Sequence, residues 1–113
     1  MLIKRGDLFW VDLNPARGSE QMGKRPVLVI QNDIGNELAP TTIVAPLTTK
    51  SFTKEYPTNV HVPKGVAGLK DNSTVLLSQI RTIDKQRLEG KIGHLSGDYL
   101  EKVSRAIQIS LGL

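Results

Sequence analysis

The residues best suited to chemistry in this 113-residue chain are cations placed at the mouth of a strand. Ser19-Glu20-Gln21-Met22-Gly23-Lys24-Arg25-Pro26 is a polar turn carrying two adjacent cations, and it runs directly into the apolar Val27-Leu28-Val29-Ile30-Gln31. Pro26 fixes its own φ and biases Arg25 toward an extended backbone. An arginine held in this way suits a phosphate, because its guanidinium is planar, permanently charged and able to fork onto two oxygens. Thr48 is the second candidate. With Thr49 and Lys50 it follows Leu47, where another apolar strand ends. A guanidinium and a hydroxyl on one rim of a small barrel could hold a phosphodiester, although a lone threonine at a strand end also follows from its β propensity.

Other catalytic arrangements are missing. No glycine-rich phosphate loop or dinucleotide fingerprint is present. The two histidines, His61 and His94, are far apart; His61 alternates with Val60 and Val62 and is expected to point outward, and His94 is expected to be structural. No cluster has metal-ligand spacing, and the acids are scattered singly, so neither a zinc site nor a paired-carboxylate site is expected. No cofactor is expected. No general base of near-neutral pKa stands out beside Arg25 and Thr48, which predicts a modest turnover.

The elements that must position these residues are mostly strands. Asp7–Leu13 is strand-like and ends at Asn14-Pro15. Pro26–Asn32 reads as a central strand from its unbroken apolar run. Asp33–Pro40, with Gly35, Asn36 and Pro40, reads as a loop. Thr41–Leu47, Asn59–Val62 and Ser73–Leu77 are further strands, Pro63–Asn72 is a loop, and Gln79–Ile83 extends the sheet after a bend. The C-terminal segment is helical. Ser96 serves as N-cap, Asp98 suits the positive end, Gly112 suits the far end, and Leu100, Val103, Ile107 and Leu111 form one apolar stripe. Many short strands with one terminal helix predict a mainly β, small antiparallel barrel, a single domain over residues 1–113.

The net charge is +4 and the chain has no cysteine. Disulfides and thiol chemistry are excluded, which fits a reducing cytoplasm. No apolar run approaches a membrane span, and no signal peptide is visible, so a soluble protein with no membrane partner is expected. Arg17, Lys24 and Arg25 face only Glu20 in one loop, and Lys50 and Lys54 face only Glu55 in another. A basic loop surface of this kind suits a polyanion.

Several stretches together resemble the MazF/PemK family of bacterial toxins, in the branch found in Gram-positive bacteria. These are Arg5-Gly6-Asp7, Gly18-Ser19-Glu20-Gln21, Arg25-Pro26-Val27-Leu28-Val29-Ile30-Gln31-Asn32-Asp33, Gln79-Ile80-Arg81-Thr82-Ile83-Asp84-Lys85-Gln86-Arg87-Leu88 and the terminal helix. The resemblance implies an SH3-like barrel, a homodimer, and metal-independent, sequence-specific cleavage of single-stranded RNA by the RNA's own 2′-hydroxyl. It also implies a MazE-like antitoxin with an acidic C-terminal segment. Arg25 and Thr48 match the family's catalytic pair. Ser19, Glu20, Gln21, Lys24, Asn32, Thr49, Tyr56 and Gln79 are expected to contact RNA. The His–Arg–Asp set of the plasmid Kid/PemK branch falls on Ser19, Leu76 and Ser78, so that version of the site is not retained. The related CcdB fold poisons DNA gyrase without cutting RNA, so a gyrase-binding toxin is the alternative, and the site must decide between them.

Overall fold

The computed structural model describes residues 2–113. Seven strands and two helices follow in the order β1 (Asp7–Asp12), β2 (Lys24–Val29), α1 (Asp33–Leu38), β3 (Thr41–Thr48), β4 (Asn59–Val62), β5 (Ser73–Leu76), β6 (Arg81–Asp84), β7 (Lys91–His94) and α2 (Gly97–Leu111). Every strand pairing is antiparallel, and the sheet runs β4-β5-β3-β2-β1-β7, with β6 also paired to β3. It curls into a half-barrel closed on one side by α2. Among the described residues no helix is long and apolar enough to cross a membrane.

Strand β3 is the spine. One of its edges pairs with β6 over Thr41–Val44 and then with β5 at Leu47 and Thr48; its other edge pairs with β2. Pro46, which has no N–H to donate, sits between the two same-edge partners, and a short 3₁₀ turn at Leu77–Gln79 carries the chain from β5 to β6. Both faces of the sheet are apolar. Leu8, Leu28, Ala45, Leu47, Val60, Val62 and Val75 pack with Val103 and Ala106 of α2. Phe9, Val11, Leu13, Val27, Val29, Val44, Ile83 and Leu88 form the second core. This two-sided burial explains the unbroken apolar run of β2, which lies between β1 and β3.

Three expectations are corrected. Asp33–Leu38 is a helix rather than a loop. Asn32 caps it by accepting the Gly35 N–H at 2.8 Å, and buried Asn36 is held by Gln31 and Thr42, so polar residues that resemble turn formers sustain a helical turn. Lys91–His94 is a strand missed in the sequence, where Gly90 and Gly93 obscured it. On α2, Val103 and Ala106 are buried whereas Leu111 is exposed, because the sheet ends before the helix does. Gly112 does close α2, at φ 73°.

His94 is structural, as expected. Its Nδ1 lies 2.8 Å from Oδ1 of buried Asp7, which also accepts the Lys4 N–H at 2.9 Å and pairs with Lys91 at 3.3 Å. This cluster fastens β1 to β7 at the end of the sheet distant from the basic loops.

Candidate active site

Strand register brings Arg25 and Thr48 together. Strands β2 and β3 pair as Val29↔Val44, Leu28↔Ala45 and Val27↔Pro46. Continuing that register two residues past its last pair sets Arg25 against Thr48, and opposed residues of an antiparallel pair project to the same face. Both residues line one cleft of about 320 Å³, together with Trp10, Met22, Pro26 and Thr49.

Each side chain is pre-set. The Arg25 Nε–H donates to the Met22 carbonyl at 2.7 Å, which fixes the guanidinium plane. Its terminal nitrogens have no protein partner among the described residues, and they remain free for an anion. Thr48 is 7% exposed, and its hydroxyl oxygen accepts the Lys50 N–H at 3.2 Å. With the oxygen so occupied, the hydroxyl proton is free to be donated outward.

A second, larger cleft of about 750 Å³ lies alongside. Its floor includes Leu13, Pro46 and Arg81, and the loop Ser19–Gln21 forms one wall. Pro46 and Thr48 are two apart on β3 and share a face, so this cleft opens on the same side of the sheet as the Arg25–Thr48 pair. The loop is held from the far wall. Gln79 Oε1 accepts the Gln21 N–H at 2.8 Å, and Gln79 Nε2 donates to the Ser19 carbonyl at 3.2 Å. Glu20 folds back to accept the Arg17 N–H. The Gln21 side-chain oxygen is buried without a hydrogen-bond partner among the described residues, an unused acceptor at the cleft wall.

The structure thus sorts the expected RNA contacts. Ser19, Glu20, Gln21 and Gln79 line the larger cleft, and Lys24 and Thr49 line the smaller one. Gln79 gives each end of its carboxamide one bond to the loop backbone, so it positions the loop and keeps one N–H and one lone pair beside the cleft. Lys24 is paired with Glu89 at 3.0 Å. Tyr56 is on the loop after Thr48, edge-on to Phe52 with ring centroids 6.0 Å apart. Asn32 does not join the site. It lies beyond the other end of β2, about 20 Å along the strand direction from Arg25, and its oxygen caps α1. Trp10 was missed by the sequence reading. It is 41% exposed and stands opposite Pro26 in the wall of the smaller cleft. It and Asp12 are the exposed residues of β1, and nothing in the apolar run Leu8–Val11 marks that exposure beforehand.

Comparisons with known proteins bear on the chain as a whole. Residues 4–111 match the family model of the PemK-like, MazF-like toxin of type II toxin–antitoxin systems. Endoribonuclease EndoA of Bacillus subtilis (strain 168) is 53% identical over 113 residues, covering 100% of this chain and 97% of the relative. The crystal structure of MazF from Deinococcus radiodurans superposes with a TM-score of 0.84 at 26% identity, covering 100% of this chain and 99% of that one. A MazE–MazF structure from the same organism gives a TM-score of 0.76 at 26% identity, with 100% and 99% covered. On a family match over residues 4–111 and 53% identity to a relative along its whole length, the chain belongs to the PemK-like, MazF-like toxins of type II toxin–antitoxin systems.

Proposed function

We propose that this toxin is a sequence-specific endoribonuclease of single-stranded RNA, with Arg25 and Thr48 as its catalytic residues. The 2′-hydroxyl of the substrate attacks the adjacent phosphorus and leaves a 2′,3′-cyclic phosphate and a 5′-hydroxyl. No metal is required, because the substrate carries its own nucleophile and DNA lacks it. What the protein must supply is alignment and stabilisation of the charge that builds on the phosphorane oxygens. The observation that carries this reading is the pair in one cleft: a guanidinium tethered through Nε with its terminal nitrogens free, beside a hydroxyl whose oxygen accepts the Lys50 N–H and which keeps its own proton to donate. Arg25 forks onto the non-bridging oxygens and Thr48 donates to one of them. Arg25 acts through the charge of its guanidinium.

Base selection belongs to the larger cleft. Single-stranded RNA is read on base edges that are splayed out and stacked. The unpaired Gln21 oxygen suits an exocyclic amine, Trp10 offers an aromatic face beside Arg25 and Thr48, and Tyr56 offers another on the loop after Thr48.

The named relative is an endoribonuclease, and a solved neighbour is a MazE–MazF assembly. By that likeness the toxin works in the cytoplasm as a homodimer. It is restrained by a MazE-like antitoxin whose acidic C-terminal segment competes for the basic clefts. The test is direct. Purified protein incubated with a long RNA in EDTA should cut at a recurring short motif, with 5′-hydroxyl ends, and Arg25→Ala should abolish the cuts while the circular dichroism spectrum is retained. Intact RNA beside trapped gyrase–DNA complexes would overturn the reading in favour of a CcdB-like poison.

A further inference from the structure

Building on the ribonuclease reading, we propose that the RNA track does not end at the catalytic cleft: it continues across the sheet, over the edge strand β4, to a distal phosphate clamp formed by Lys102 and Arg105 of α2.

Three independent features carry this. The first is register. Thr48 pairs with Thr74, and Thr74 pairs with His61. With Arg25 opposite Thr48, one polar row crosses four adjacent strands in the order Arg25, Thr48, Thr74, His61, all projecting to the same face. The last step is a formed contact, since His61 Nδ1 lies 2.9 Å from Thr74 Oγ1. Three strand spacings place His61 about 14 Å from Arg25, which leaves it too far away to act on the same phosphate.

The second is the shape of the surface. The catalytic cleft shares Thr49 and Ser73 with a neighbouring depression of about 360 Å³ that contains Lys50, Phe52 and His61. That depression shares His61 with a third, of about 270 Å³, that reaches Lys102 and Arg105. The three are consecutive, and His61 is the junction where the path turns around the edge strand.

The third is charge. Lys102 and Arg105 are three apart on α2, so they face the same way, and both line the last depression. Neither they nor Lys50 form an ion pair among the described residues. The ammonium groups of Lys50 and Lys102 rest over the rings of Phe52 and Tyr99, at 5.7 and 5.5 Å from the centroids, which holds them at the surface. Glu55 is the one carboxylate paired within the path, and its partner is His61 at 3.5 Å. A row of unpaired cations along a continuous groove matches the spaced phosphates of a single strand.

The test compares two 2′-O-methyl RNA oligonucleotides, which bind but lack the attacking hydroxyl. One is about 5 nucleotides long and the other about 12, a range that brackets small single-strand sites. Fluorescence anisotropy is read from about 50 to 200 mM salt. Wild type should bind the longer RNA more tightly. Lys102→Gln with Arg105→Gln should remove most of that length advantage, roughly tenfold at low salt, and flatten the salt slope for the longer RNA by about 1.4, two phosphates at about 0.7 each. Both side chains are exposed, so thermal denaturation should be unchanged. Equal affinity for the two lengths in wild type, or an unaltered length advantage in the variant, would overturn the proposal. So would loss of affinity only for an acidic antitoxin peptide, which would assign the clamp to that partner. Cleavage of unmodified long RNA by wild type is scored separately, so failure of the ribonuclease reading is not confused with failure of the clamp.

Discussion

The Arg25 Nε–H donates to the carbonyl of Met22, three residues earlier in the chain, at 2.7 Å. The arginine is thereby oriented by its own loop before any substrate arrives. A lysine could keep the charge at this position but has neither the Nε tether nor the planar fork. Arg25→Lys should therefore lose activity by more than tenfold, and Arg25→Ala by about 10²–10³-fold, the usual cost of removing one transition-state donor. Single-turnover cleavage of a defined RNA measures both. Wild-type rates in Arg25→Lys would mean that charge alone suffices and that the tether is incidental.

Thr48 separates a hydroxyl role from a packing role. It is almost fully buried at the end of β3, and Thr48→Val keeps the shape and removes the donor. We expect Thr48→Val to slow cleavage about 10–100-fold and Thr48→Ser to slow it far less. Comparable losses in Ser and Val would show that the methyl group matters as much as the hydroxyl, and a loss in Ser with none in Val would assign Thr48 to packing.

Gln79 and Gln21 divide the work of the larger cleft. Gln79 ties down the loop through the Gln21 and Ser19 backbone, and the Gln21 side chain presents the unused acceptor. Gln79→Ala should raise amide exchange across Ser19–Gln21 and lower cleavage at every site alike. Gln21→Leu should leave exchange unchanged and instead relax the cleavage motif, because a base amine loses its acceptor at a cost of about 1 kcal/mol. Exchange mass spectrometry and mapped 5′ ends distinguish the two, and identical phenotypes would contradict this division.

Much of this arrangement is legible in the chain itself. The continuous Val27–Ile30 run announces a strand buried on both faces, and Pro26 announces the junction at which Arg25 is held. What is not legible is the partner of each strand. Thr48 acquires its meaning from standing opposite Arg25 on one side and Thr74 on the other, and register is a property of the assembled sheet. Asn32 was misjudged, and the loop-holding role of Gln79 was missed, for a related reason. A carboxamide in a polar stretch looks free to read a base until the fold shows which backbone groups it satisfies, a helix N-terminus in one case and a loop in the other. Lys91–His94 was lost because its glycines suggest a turn, whereas Gly93 is there because Ala67 packs against it too closely for a side chain.

The end of the sheet away from the clefts gives a prediction about stability alone. Asp33 accepts the Arg5 N–H at 2.7 Å, and this bond, ahead of its contact with Asn36 and the nearby cations Lys4 and Arg5, holds its carboxyl below the usual aspartate range. Arg5 continues the link, donating from Nε to the Ile30 carbonyl and from a terminal nitrogen to Ser104 of α2, both at 3.0 Å. A carboxyl with a depressed folded-state pKa stabilises the fold above its unfolded value of about 3.9, and that contribution fades as the pH falls through the folded value. Asp33→Asn should then lower the denaturation midpoint modestly at neutral pH, since the group is exposed and screened, and the difference from wild type should close below about pH 4. Asn32→Ala removes the neighbouring helix cap and should cost about 1 kcal/mol without that pH dependence. Neither change should alter where RNA is cut, because both residues lie at the far end of β2 from Arg25. Urea titrations at neutral and acid pH, run beside cleavage maps, check each part, and a changed cleavage motif in Asn32→Ala would return that residue to the RNA groove.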